Sequence, residues 1–119
     1  MKIDIVGLVG PLCITTEDGE LIREQIVDQL QRPSGAAVEV DFAGVRVLAS
    51  PFLNAAVGGL VRDRSADELN KRMRFLNLSG ENAALVRRVI ANAREYFANP
   101  AVKKIIDEAS GKVTTSEPT

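Results

Sequence analysis

The residue best placed to do chemistry is Ser50, which is followed by Pro51. The two residues lie where a predicted strand is followed by a predicted helix in VEVDFAGVRVLASPFLNAAVGGLV (38–61). A serine at such a join is able to cap the helix, accept a phosphoryl group or act as a nucleophile. A nucleophile needs a general base, and the chain contains no histidine, the commonest general base and metal ligand. No carboxylate pair has a recognisable acid–base spacing. We therefore predict no enzymatic activity, no catalytic residue, no metal site and no cofactor.

The single cysteine, Cys13, lies between apolar residues in the segment PLCIT. One cysteine excludes an internal disulfide, and no basic neighbour in the sequence would activate the thiol. We predict a buried, unreactive thiol and a location in the reducing cytoplasm. No apolar run approaches the ~20 residues that span a bilayer, so no membrane segment is predicted.

The charges are balanced overall but uneven along the chain. The 119 residues carry a net charge of -1, which gives no general attraction to nucleic acid or to an anionic membrane. Between positions 62 and 94, eight basic side chains against four acidic ones leave a local charge of +4. This segment is either a solvated rim or a face for an anionic partner. The scarcity of aromatic residues for base stacking disfavours single-stranded nucleic acid.

Alternating segments of strand and helix character predict one α/β domain. The pattern predicts strands over 2–9, 12–15, 37–42 and 73–78, with the first two paired as a hairpin and VRVLA extending or resuming the third. The predicted helices cover 20–31, 51–63, 79–97 and the segment AVKKIIDEAS, while RDRSADELNKR is interpreted as a polar connection. We expect a mixed sheet of four to five strands with helices packed against it, a single domain over 1–109 and a disordered tail over 110–119.

The helical segments also predict which side chains form the core. Each presents apolar residues on one face, at the spacing of an amphipathic helix. The expected core positions are Ile22, Ile26, Leu30, Phe52, Leu53, Ala56, Val57, Leu60, Val61, Leu85, Val86, Val89, Ile90, Ala93 and Phe97.

The segment VEVDFAGVRVLASPFLNAAVGGL resembles the STAS fold, the sulfate-transporter and anti-sigma-factor-antagonist domain. From LCITTEDGELIREQI through FLNL and the helix after it, roughly 12–97, the chain is similar to a bacterial STAS-like family of unknown function. STAS antagonists typically carry Asp-Ser-Ser-Gly at the join, and their second serine is the phosphoacceptor. Here Ala49 and Ser50 are followed by Pro51 and Phe52. Because Pro51 has no hydroxyl, the phosphorylation switch of those antagonists is not carried over.

Two interpretations of the join and its helix follow. We expect Ser50 to be the N-cap, with Pro51 at the first helical position; the alternative is a phosphosite or an anion contact. The helix face opposite the core carries two glycines, which cost about 1 kcal/mol each relative to alanine and so indicate a close approach. That face either packs on the last helix or docks a partner, and its residues are Asn54, Ala55, Gly58, Gly59 and Arg62.

The resemblance implies a non-enzymatic regulatory or signalling module that acts by protein–protein contact. The implied partner is another protein, such as a kinase-like ATPase or another regulator, and a homodimer is a further option. The alternative is a sensor that binds a small ligand, a nucleotide or an anion at the N-terminus of helix 51–63.

Overall fold

The strand Val38–Asp41 is the centre of the fold. A computed structural model describes residues 2–32 and 35–98. In it Val38 and Val40 are buried, and parallel strands flank Val38–Asp41 on both sides. The nearly continuous apolar run 37–42 predicts such a central strand, and that prediction is confirmed.

Five strands and six α-helices, one of them extended by a π-helical turn, make up the described part of the chain. In order they are β1 (Lys2–Asp4), α1 (Ile5–Val9), β2 (Leu12–Cys13), α2 (Thr16–Leu30), β3 (Val38–Asp41), β4 (Val47–Leu48), α3 (Ser50–Leu53) with the π-helical turn Asn54–Gly58, α4 (Leu60–Asp63), α5 (Ala66–Arg72), β5 (Met73–Leu76) and α6 (Gly80–Ala98). The predicted short helix in AVKKIIDEAS and the predicted tail 110–119 lie outside the described residues.

The strands form two small parallel sheets. The larger has the order β1-β3-β5, and its register aligns Asp4 with Asp41 and Asp41 with Leu76. The smaller pairs β2 with β4, Leu12 opposite Val47. The α/β class is confirmed, but within 2–32 and 35–98 the strands form these two parallel sheets and not the expected single mixed sheet of four to five strands.

The predicted hairpin is wrong because the first strand stops at Asp4. The Asp4 carboxylate accepts a hydrogen bond from the Gly7 N–H at 3.2 Å and so caps α1, which interrupts the apolar run 2–9. The chain leaves α1 through Gly10, whose φ of 90° favours glycine. β2 therefore does not fold back on β1, and it pairs with β4 instead.

The helices bury the faces that their periodicity predicts. In α2, Ile22, Ile26 and Leu30 are buried, and the helix begins at Thr16, earlier than position 20. In α6, Val86 and Val89 are buried, while Leu85, Ile90 and Ala93 are half-buried. Nothing about the side chain of Phe97 is described. Within 2–32 and 35–98, no helix is both long and apolar enough to cross a membrane.

The polar connection RDRSADELNKR contains a helix that the sequence pattern did not predict. Ser65 caps it by accepting a hydrogen bond from the Glu68 N–H at 3.1 Å, and acidic residues occupy its first turn. The signal was present as a Ser-x-x-Glu capping box, although the helix has little apolar periodicity. Ser79 caps α6 by accepting a hydrogen bond from the Asn82 N–H at 3.2 Å, at the start of the predicted helix 79–97.

The helices α2 and α3 cross at Gly19, where no side chain fits. A β-carbon built on Gly19 would lie 2.3 Å from the carbonyl oxygen of Phe52 and 2.8 Å from the β-carbon of Ala55. Both distances are shorter than the closest approach of non-bonded atoms, and the nearer atom, the Phe52 carbonyl oxygen, belongs to the backbone. Gly19 is therefore required for this helix crossing.

We expect Gly19→Ala to destabilise the fold by about 2–3 kcal/mol, because the added methyl group must push the two backbones apart. Denaturant unfolding measures this cost. Gly58→Ala is the matched control, since its β-carbon would meet Val89 and Ala93 at ordinary distances of 3.8 and 3.7 Å. The control should change stability by less than about 1 kcal/mol, towards stabilisation. Equal losses in the two variants would contradict the close approach at Gly19.

Candidate functional site

The carboxyl ends of the three parallel strands bring Asp4, Asp41 and Asn77 to one edge of the larger sheet. This edge is where α/β folds usually bind ligands. One Asp41 carboxylate oxygen accepts hydrogen bonds from the Asn77 side-chain amide at 2.7 Å and from the Ala43 N–H at 2.9 Å. The other lies 3.5 Å from the ammonium of Lys2. The carboxylate thereby connects the end of β3 to β1 and to the residue after β5.

The surroundings of Asp41 hold its pKa below the usual value. The main cause is the hydrogen bond from the Asn77 amide, followed by that from the Ala43 N–H; desolvation opposes both, and Lys2 adds a smaller lowering. Asn77 takes a positive φ of 61°, which asparagine tolerates better than most residues. A carboxylate held ionised by donors is a poor general base, so this arrangement favours a structural tie between strand ends.

The described residues do not gather a set of metal ligands. Across 2–32 and 35–98, no three His, Cys, Asp or Glu side chains come close enough together to hold a metal ion.

The prediction that Ser50 caps the helix is wrong. The N-cap is Ala49, with extended backbone angles, and Ser50 is the first residue of α3. No side chain makes a capping hydrogen bond there, and Pro51 lies in the first turn, where its missing N–H costs nothing. Ser50 and Pro51 are both exposed. A phosphosite or an anion contact at Ser50 stays a prediction.

The small face of the same helix is divided between the interior and the surface. Gly58 is buried against α6, where its nearest neighbours would be Val89 and Ala93. Ala55 lies against Gly19 of α2, and a β-carbon on Gly59 would meet the Arg23 side chain at 3.3 Å.

Ala55 and Gly59 therefore pack on α2 and Gly58 packs on α6, so internal contacts account for these three residues, mostly with a helix other than the expected last one. Asn54 and Arg62 are exposed. Partner binding by the five residues is untested, and only these two offer a side chain on the open surface.

Cys13 is fully buried, as predicted. Burial is the main cause that raises the pKa of its thiol to about 11, and the charge of Asp18 adds to the effect. The thiol is therefore protonated at neutral pH, which suits an unreactive residue because the thiolate is the nucleophile.

One surface was missed by the sequence interpretation: the outer face of the β2–β4 sheet. Cys13 and Leu48 point inward, whereas their strand neighbours Leu12 and Val47 lie opposite each other and are 53% and 44% exposed. Ile14, two residues after Leu12, is 43% exposed. We call Leu12, Ile14 and Val47 the β2–β4 face. Contiguous exposed apolar residues of this kind mark contact sites more often than scattered ones do.

One cation of the basic segment 62–94 makes hydrogen bonds within the fold. The Arg72 guanidinium donates to the carbonyl oxygens of Ala36, at 3.2 Å, and Leu30, at 3.4 Å. It thereby satisfies a carbonyl at the end of α2, so this cation has a structural role. Binding of an anionic partner by the remaining basic residues is untested.

We expect Asp41→Asn to destabilise the protein most at neutral pH. Because the folded-state pKa is lowered, the ionised carboxylate stabilises the fold above the unfolded-state pKa of about 3.9 and loses this effect as pH falls through the lower folded-state value. The stability gap between wild type and variant, from urea unfolding across a pH series, should therefore narrow on acidification. Glu24→Gln controls for net charge. A difference in stability that does not change with pH would contradict the stabilising role of the ionised Asp41 carboxylate.

We expect Ser50→Ala to leave the free energy of unfolding within about 0.5 kcal/mol of the wild-type value, as for most surface substitutions. Thr15→Ala is the matched positive control, because the Thr15 hydroxyl accepts from the Asp18 N–H at 3.1 Å and caps α2. Loss of that cap should cost about 1 kcal/mol. Equal costs for the two variants in denaturant melts would restore the capping role of Ser50.

A family model described as a STAS-like domain of unknown function matches residues 18–83, which is more than half of the 119-residue chain. No curated protein and no solved structure matches. The match runs from α2 into the start of α6, and it confirms the resemblance over a shorter stretch than 12–97. The chain belongs to the family of STAS-like domains of unknown function.

Proposed function

We propose that this STAS-like domain is a non-enzymatic regulatory or signalling module that binds another protein, such as a kinase-like ATPase or another regulator, in the bacterial cytoplasm. The observation that carries the proposal is the exposed, apolar β2–β4 face. Leu12, Ile14 and Val47 leave about half of each side chain in water although the core lies directly beneath them. A partner that covered them would gain the free energy of burying that apolar surface.

The chain next to this face is also open to a partner. β4 leads within two residues into Ser50 and Pro51, both exposed, and Asn54 is exposed one turn later. An apolar centre bordered by polar groups is the composition of protein–protein interfaces. The exposed Arg46, which precedes Val47, adds a cation at this border. The proposed docking surface is therefore the β2–β4 face together with the first turn of α3.

The proposed contact with a partner does not require a phosphorylation switch at this join. Pro51 stands where the resemblance places the phosphoacceptor serine of STAS antagonists. Affinity would then depend on the surface itself, through apolar burial and the polar groups around it. Regulation of such a contact would come from the partner or from its concentration.

We expect the double variant Leu12→Lys/Val47→Lys to lose its partner, because two lysines place charge in the centre of the apolar contact. Partners captured from lysate of the source organism are identified by mass spectrometry, purified, and titrated against each variant by calorimetry. Binding should weaken at least about tenfold, which is 1.4 kcal/mol.

Ala84→Lys is the matched control, since Ala84 is exposed on α6 and the change adds the same side chain elsewhere. It should bind like wild type. Asn54→Ala/Arg62→Ala tests the surface predicted from the sequence. If that pair weakens binding while Leu12→Lys/Val47→Lys leaves it unchanged, the β2–β4 face is not the docking surface.

A further inference from the structure

A second feature, independent of the β2–β4 face, is a cavity of about 140 Å³ that opens beside α6. It lies between the π-helical turn, α4, α5, β5 and α6. Its walls are mostly apolar side chains, with two polar residues among them. The lining residues are Val57, Leu60, Val61, Leu69, Asn70, Met73, Phe75, Ile90 and Arg94.

The cavity walls retain apolar surface that the fold does not bury. Val61, Met73, Phe75 and Ile90 belong to the half-buried layer around the core, although each contacts it. An apolar molecule in the cavity would complete their burial, at about 25 cal/mol for each Å² removed from water. The volume is close to that of an engineered apolar cavity of about 150 Å³ that binds benzene. A ligand of roughly the size of one aromatic ring therefore fits.

The polar residues of the lining set the charge of the ligand. Arg94 follows Ile90 by one helical turn on α6, and Asn70 follows the buried Leu69 on α5; both Asn70 and Arg94 are exposed. Arg94 takes part in neither of the ion pairs found among the described residues, which are Lys2–Asp41 and Arg32–Asp28. A guanidinium is always charged and pairs with a carboxylate through two parallel hydrogen bonds.

We propose that this cavity binds a monocarboxylate that has a compact hydrocarbon part. The hydrocarbon part lies against the apolar walls, and the carboxylate pairs with Arg94. The Asn70 side-chain amide offers a further N–H donor to the same carboxylate. A nucleotide is excluded from the cavity by its size, and inorganic phosphate would leave the apolar walls without a partner. The site needs no chemistry beyond binding.

The test uses benzoate as the probe and benzyl alcohol as its neutral counterpart. Both are titrated into the ¹⁵N-labelled full chain, and amide shifts are followed by NMR up to millimolar concentrations. Benzoate should bind the wild type more tightly than benzyl alcohol, with shifts centred on β5, α5 and the Ile90 turn of α6. Arg94→Gln should weaken benzoate binding about tenfold and leave benzyl alcohol unchanged.

Two further variants separate specific binding from other effects. Val61→Phe fills the cavity and should abolish binding of both probes. Arg88→Gln, which removes an exposed cation of α6 outside the cavity lining, should change neither. Absence of benzoate shifts at the lining residues, or equal benzoate binding by wild type and Arg94→Gln, would overturn the proposal. Thermal melts of each variant confirm that it is folded.

Discussion

The fold depends on the approach of α2 to the backbone of α3 at Gly19. The absence of a side chain there lets the backbone of α2 pass within contact distance of the Phe52 carbonyl. Phe52, Ile22 and Ile26 are fully buried on either side of this crossing, so it organises the largest apolar side chains of the core. Interiors are packed as densely as organic crystals, and a methyl group added here has no space to enter. Because Gly19 has only a hydrogen atom in place of a side chain, α2 can pack closely against the helix that follows β4.

The crossing also adds packing to a parallel sheet whose strands are short. α2 connects β1 to β3, and the helix beginning at Ser50 follows β4 towards β5, so both lie on connections between paired strands. Strands of three or four residues supply few ladder hydrogen bonds, and most of their stabilisation must come from packing. The Asp41 carboxylate adds a polar tie at the carboxyl ends, through Asn77 and Lys2.

Local sequence patterns predicted what depends on periodicity and missed what depends on tertiary contact. The faces of α2 and α6 and the central β3 followed directly from apolar spacing, because each buries one continuous stripe or run. The apolar run 2–9 predicted a strand that is too long, because Asp4 ends the strand by capping α1. That signal consists of a single residue. Gly19 lies just outside the predicted helix 20–31, and nothing near it in sequence reveals the Phe52 carbonyl that lies against it.

The candidate site, like the fold, was predicted only in part from local sequence patterns. Burial of Cys13 followed from its apolar neighbours, whereas Ser50 was displaced by one residue from the cap position, within the usual error for a helix boundary. The β2–β4 face was missed because apolar residues in a strand predict burial, and only the pairing of Leu12 with Val47 places them together on the outside. The cavity at Arg94 joins residues from five elements, which no local pattern connects.

The two proposed sites lie at opposite ends of one helical stretch. Its first turn, at Ser50, adjoins β4, and Leu60 and Val61 near its other end line the cavity. Ten residues of α-helix span about 15 Å, so the sites are close but separate. The π-helical turn Asn54–Gly58 joins the two ends: it packs on α2 through Ala55 and on α6 through Gly58, and its Val57 also lines the cavity. A π-turn inserts an extra residue into the helix and rotates the side chains that follow it relative to those before. Phe52, Val57 and Leu60 are nevertheless all buried, so the core face continues through the turn and the same stretch that borders the β2–β4 face also reaches the cavity.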